Sequence, residues 1–125
     1  MNPDIAGVRS ERDPVDRGSG TVLALTLSFV MVVLTAMVVV LAQAAGLAQR
    51  VASAADLAAL AGADAARGLT AGDPCILAAE TAARQGASLV SCTVEKGEIV
   101  AVRTEARQRS PFGAATGRAR AGPPP

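Results

Sequence analysis

From Thr21 to Ala42 no charged residue interrupts a run of Val, Leu, Ala, Met and Phe, and the polar atoms within it belong to Thr21, Thr26, Ser28 and Thr35. These short side chains can bond their own helix backbone. At 1.5 Å per residue the run makes a helix of roughly 33 Å, enough to cross a hydrocarbon core of about 30 Å. A helix apolar on every face needs lipid or an assembly to cover it. The sequence therefore predicts a transmembrane segment over residues 18–42.

Beyond Ala42 the pattern turns amphipathic. Between Gln43 and Arg67 the chain is rich in Ala, the strongest helix former. Leu47, Val51, Ala54 or Ala55, Ala58, Ala61 and Ala65 recur at helical spacing, while Gln49, Arg50, Ser53, Asp56 and Asp64 supply polar positions. Gly68 is placed to end this helix in the left-handed conformation that glycine adopts without strain. A helix unbroken through Gly46, from Thr21 to Arg67, would measure on the order of 70 Å. Along it Ala54, Ala58, Gly62 and Ala66 form a row of small residues, either a candidate helix-packing interface for assembly with another subunit or a row that an Ala-rich helix produces by chance. Asp56 lies in the same Ala-rich stretch and is a candidate inter-subunit charge. The plainer reading is that Asp56 and Asp64 keep the helix soluble, with Asp64 pairing with Arg67 one turn on.

Asp73-Pro74 then opens a second helix, with Asp73 as N-cap and Pro74 at the first helical position, where its missing N–H does no harm. It is expected to run to Gln85 and stop at Gly86. Next the period shortens to two: Val90, Cys92 and Val94 alternate with Ser91, Thr93 and Glu95, the mark of a half-buried strand. Lys96-Gly97 supplies a turn, and Ile99 to Ala106 returns with Val100 and Val102 facing inward. Residues 1–17 read as a disordered cytoplasmic lead, and residues 110–125, made of Pro, Gly, Ala and Arg with little else, as a flexible tail. The fold class that results is mainly α with a small α+β cap. A long N-terminal transmembrane helix (18–42) continues into a projecting Ala-rich helix (43–68), followed by a helix and β-hairpin (69–109).

Composition narrows the function. Residues 43–109 hold no Phe, Trp or Tyr, so the core has little area to bury and calls for a brace. With 12 Lys and Arg against 11 Asp and Glu, the net charge of +1 gives no basic footprint for nucleic acid. The chain has no His, which removes the commonest general base and metal ligand together. No phosphate loop or nucleophile elbow is present around Gly18-Ser19-Gly20. We expect no enzyme activity, no cofactor, no metal and no small-molecule substrate.

Arg9, Arg12 and Arg17 precede the apolar run, against Arg50 and Arg67 over a longer stretch after it. This bias favours a cytoplasmic N-terminus and an extracytoplasmic C-terminus. A cleaved secretory signal is the rival. Val40-Leu41-Ala42 and Ala42-Gln43-Ala44 both satisfy the small-residue rule, making Ala42 and Ala44 candidate processing positions. On that reading the product is a secreted binding module, with the hairpin and the Arg-rich tail as contact surfaces. The apolar run exceeds the roughly 7–15 residues of a signal core, which favours the anchor.

Cys75 begins the second helix and Cys92 lies in the strand that returns along it. From Cys75 to Gly86 is about 16 Å of helix, and from Ser88 to Cys92 about 13 Å of strand, so both thiols reach nearly the same height. A disulfide between them closes a loop of about 17 residues, worth roughly 3 kcal/mol by the chain-entropy estimate. The alternative is two buried thiols packing as small hydrophobes. The spacing is far from a redox Cys-x-x-Cys pair.

Two stretches carry a family resemblance. Arg17-Gly18-Ser19-Gly20-Thr21 leads straight into the apolar run, and Arg50-Val51-Ala52-Ser53-Ala54-Ala55-Asp56-Leu57-Ala58-Ala59-Leu60-Ala61-Gly62-Ala63 follows it. Together they resemble the TadE/TadG-like proteins of tight-adherence (Flp) pilus systems. The order of Cys75 before a helix and Cys92 in a Val-rich strand looks most like a small actinobacterial branch. The resemblance implies a minor pilin-like or assembly subunit in the cytoplasmic membrane, with other pilin-like or secretion subunits and further copies of itself as partners. It also makes Gly18 and Gly20 candidate processing sites. Leu23 stands where such pseudopilins carry a Glu.

Overall fold

The computed structural model describes residues 14–125. The order of elements is α1 (Pro14–Ala66), α2 (Pro74–Arg84), β1 (Ala87–Glu95), β2 (Ile99–Ser110) and β3 (Gly113–Ala121). This is the expected long N-terminal helix, short helix and small β cap. Of the lead predicted to be disordered over residues 1–17, residues 1–13 lie outside the described residues, and 14–17 are helical as the first turn of α1, a correction to that expectation.

Two compact units divide the chain, the first ending at Val40 and the second covering Leu41–Pro125. In the first, every residue from Gly18 onward is exposed. The hydroxyls turn back on the helix: Thr26 donates to the Val22 and Leu23 carbonyls at 3.0 and 2.9 Å, Ser28 to Ala24 and Thr35 to Met31 at 2.8 Å. Such back-bonding satisfies the polar atoms without water or a partner helix.

The second unit is a helix layer over one face of an antiparallel sheet of order β1-β2-β3. Helix α1 passes through Gly46 without interruption and ends where the glycine rule places it. The Leu69 amide donates to the Asp64 carbonyl at 2.9 Å and the Gly68 amide to Ala65 at 3.0 Å, with Gly68 at φ +73°. This paired closure is the Schellman motif. For α2, the Asp73 carboxylate accepts from the Cys75 and Ile76 amides at 2.9 and 3.1 Å. It thereby satisfies two of the four amide donors that a helix start leaves without intrahelical partners. Between β1 and β2, Lys96 and Gly97 both take positive φ and the Glu98 amide returns to Glu95, as a type I′ hairpin turn requires.

The core is small and built from small residues. Ala54, Ala55, Ala58, Ala59 and Ala63 of α1 meet Ala78 and Ala82 of α2 and Ala87, Val100 and Val102 of the sheet. Val100 and Thr104 are the largest side chains fully buried. At the centre, the Thr104 hydroxyl donates to the Val51 carbonyl of α1 at 3.2 Å, tying sheet to helix.

Three further expectations need correction. Residues 110–125 are not a free tail, because Gly113–Ala121 forms β3, paired antiparallel with β2. Gly117 explains how: a Cβ there would lie 2.6 Å from the Val51 carbonyl oxygen, so only glycine lets the strand run this close to α1. Second, Val90 does not face inward. A bulge between Leu89 and Ser91 shifts the register, so Ala87 and Leu89 point to the core and Val90 is 55% exposed. Third, β2 continues past Ala106 to Ser110, where it turns into β3.

Candidate functional site

The predicted small-residue row is a packing surface, but an internal one. Ala54 and Ala58 are fully buried, Gly62 is buried and Ala66 half-buried. A Cβ on Gly62 would stand 2.9 Å from a Val100 methyl and 3.1 Å from the Pro74 carbonyl. The row lets α1 approach its own sheet and α2, and it is not free to receive another subunit. Enlarging Ala58 would therefore overpack this core rather than disturb a seam between chains.

Cys75 and Cys92 are joined as a disulfide, with Cα atoms 5.8 Å apart and 17 residues between them in sequence. The bond runs from the first turn of α2 to β1, opposite Val102 in the register. It clamps α2, whose buried residues are Ala78 and Ala82, onto the sheet edge.

Two surfaces of the second unit remain open. On α1, the side turned away from the core carries Ser53, Asp56, Leu57, Leu60 and Asp64, all exposed. The helical 100° step puts Asp64 almost opposite the centre of the buried stripe, with Leu60 and Ser53 beside it and Asp56 at its margin. Leu57 and Leu60 are 44% and 55% exposed. The expected ion pair between Asp64 and Arg67 does not form: among the described residues the ion pair present is Arg120 with Glu95.

The other surface is the outer face of the sheet. Small residues alternate with Arg along β3, so Ala115, Gly117, Ala119 and Ala121 lie inward while Arg118 and Arg120 lie outward. Arg118 stands directly opposite Arg103 of β2, and Arg103 opposite Ser91 of β1. Ser91, Thr93, Ala101, Arg103, Arg118 and Arg120 line a shallow depression there. Arg120 reaches across it to Glu95, and Arg107 donates to the Ser88 hydroxyl at 3.4 Å. Guanidinium groups gathered in this way hold carboxylates or phosphates through forked hydrogen bonds. Sequence reasoning assigned no residue of this face individually. The signal was the Gly-Arg-Ala-Arg-Ala alternation, hidden because Gly and Ala are poor strand formers.

Among the described residues no group of three or more His, Cys, Asp or Glu is arranged to hold a metal ion. Gly18 and Gly20 lie within α1 with open space around them, and Ala42 and Ala44 lie further along the same helix. Leu23 is exposed in the apolar segment. By length and composition α1 contains one stretch able to cross a membrane, near the N-terminus. With the disulfide, this fits a single-pass or secreted protein. No protein-family model, curated protein or solved structure matches the chain.

Proposed function

We propose that the chain is a membrane-anchored structural subunit of a tight-adherence (Flp) pilus or a related secretion apparatus, with its N-terminus in the cytoplasm and its disulfide-braced unit outside. The observation that carries this reading is the fully exposed apolar stretch of α1, which belongs to the same continuous helix whose later turns build the core of the second unit. A discarded signal has no need to be continuous with the mature fold. The positive charges ahead of the run support the orientation, and a disulfide is at home in an oxidising compartment. The resemblance of residues 17–105 to TadE/TadG-like proteins supplies the pilus context.

A second reading has its own observation. The buried positions of the second unit begin at Val51, downstream of Ala42 and Ala44. Signal peptidase cleavage at either would leave that core whole and release a small binding module. Deleting the gene in its host and isolating the tagged full-length chain from membranes tests the first reading. The account expects loss of surface filaments or secretion, and co-isolation with apparatus subunits. Unchanged filaments and secretion, with the chain in the medium, would refute it.

A further inference from the structure

Helix α1 and strand β2 run antiparallel, which fixes the end of the second unit nearest Ala42, the last residue of the apolar run. A Cβ on Gly62 would meet a Val100 methyl, and the Val51 carbonyl accepts from Thr104. Following α1 back from Gly62 to Val51 therefore follows β2 forward from Val100 to Thr104. Beyond Thr104 the strand continues to Ser110, roughly 20 Å at 3.3 Å per residue, less the shortening at the irregular stretch between Glu105 and Arg109. From Val51 back to Leu41, α1 measures about 15 Å. The β2–β3 turn thus reaches the level at which α1 enters the unit. Burial agrees: Leu47 and Ala44, one and two turns before Val51 on the same stripe, are half-buried, whereas the rest of residues 41–50 are exposed.

This end is basic. It carries Arg50 of α1, Arg84 of α2, and Arg107 and Arg109 of β2, all exposed, with no acid among residues 41–50, 84–87 and 106–115. Arg84 belongs here because α2 closes at Gly86, whose carbonyl accepts from the Arg107 amide at 3.3 Å. Asp56, Glu80 and Glu105 all lie further from the turn. At the opposite end Asp64, Asp73, Glu95 and Glu98 outnumber Arg67, Lys96 and Arg120. The turn itself presents Phe112, 68% exposed and the one aromatic side chain outside the apolar run. Part of its backbone is already paired: the Ser110 hydroxyl donates to the Gly113 carbonyl at 2.8 Å and accepts from the Phe112 amide at 3.3 Å. Polar groups satisfied in this way lower the cost of leaving water. We infer that this end of the unit rests on an anionic lipid surface. Phe112 enters the boundary between headgroups and acyl chains, and the four arginines meet lipid phosphates. Position selects lipid over an acidic protein, because the arginines and the exposed aromatic gather at the one end that the apolar run ties to a membrane. The inference rests on the reading of that run as a retained anchor, and it adds a second foothold for the unit.

The chain has no Trp, so Phe112→Trp supplies a single fluorescent reporter, and Glu98→Trp places the same reporter at the opposite end. Each full-length variant is reconstituted in vesicles of phosphatidylcholine, alone or mixed with phosphatidylglycerol, with and without brominated acyl chains. In the anionic vesicles the Phe112→Trp reporter is expected to emit at shorter wavelength and to be quenched by bromine. Both effects should weaken in phosphatidylcholine alone and be absent for Glu98→Trp. Adding Arg107→Gln with Arg109→Gln should lower the ratio of docked to free turn by about 25-fold, since each arginine near an anionic surface is worth about fivefold. Unchanged exchange protection of the Val100 and Val102 amides shows that each variant is folded. Water-like emission without lipid quenching, equal quenching at both ends, or indifference to the arginine changes would overturn the inference. So would a blue shift that appears only as chains crowd together, which marks protein as the occupant. A chain that stays in its host's membranes while the reporter remains in water keeps the anchor and loses the docking. A chain released into the medium removes the anchor, and the docking with it.

Discussion

Removing the Cys75–Cys92 bond should weaken the second unit more than any single side chain in its core can. The largest fully buried side chains are Val100 and Thr104, and most other core positions are Ala. At about 25 cal/mol per Å², a core of methyl groups offers little to lose at any one site. The disulfide spans 17 residues, for which loop-closure entropy gives roughly 3 kcal/mol. The perturbation is the double variant Cys75→Ser with Cys92→Ser, studied as the full chain in detergent micelles. The chain has no Trp or Tyr to report unfolding by fluorescence, so amide hydrogen exchange is the appropriate assay. The central β2 amides at Val100, Val102 and Thr104 exchange through opening of the unit. A loss of about 3 kcal/mol should speed their exchange by about two orders of magnitude. The apolar stretch of α1 should keep its protection, because the micelle holds it. A change below threefold in β2 would refute the claim that the bond, rather than the Ala core, supplies much of the stability.

Other perturbations probe separate parts of the account. Gly117→Ala pushes a methyl against the Val51 carbonyl and the Thr104 hydroxyl, and overpacking of this kind costs about 1–3 kcal/mol; β3 amides should lose protection first. Asp73→Ala removes the cap of α2 and should cost about 1 kcal/mol, read as faster exchange at Cys75 and Ile76. Val32→Arg puts a charge at the middle of the apolar stretch at about 2.5–3.5 kcal/mol, and should shift the chain from the alkali-resistant membrane fraction to a soluble or degraded one.

Where a residue type has one physical use, the sequence announced the structure. Asp73-Pro74 could only start a helix comfortably, Gly68 could close one, and Lys96-Gly97 could turn a hairpin; all three do so. The cysteines were legible because helix rise and strand rise bring them level. Legibility failed where geometry depends on a neighbour. Val90 alternates properly with Cys92 and Val94, yet one inserted residue turns it outward, and no local signal marks that bulge. Strand β3 looked like a tail because its inward residues are Gly and Ala, and at Gly117 the close backbone of α1 leaves room for nothing larger. The row Ala54, Ala58, Gly62 and Ala66 was expected as an interface between subunits, and it packs inside its own chain instead. Periodicity alone could not say whether the partner was the same chain or another, and the partner is the same chain. The basic sheet face became visible only once β3 was paired, since Arg103 and Arg118 are distant in sequence and adjacent in the sheet.

The central claim is that the apolar stretch is retained as an anchor. The most direct measurement is the N-terminal sequence and location of the mature protein in fractionated cells of its own host. The account predicts a chain held in the membrane, intact or cut just after Gly18 or Gly20. A soluble chain beginning after Ala42 or Ala44 would contradict it, turning the first half of α1 into a discarded signal and the second unit into a secreted module.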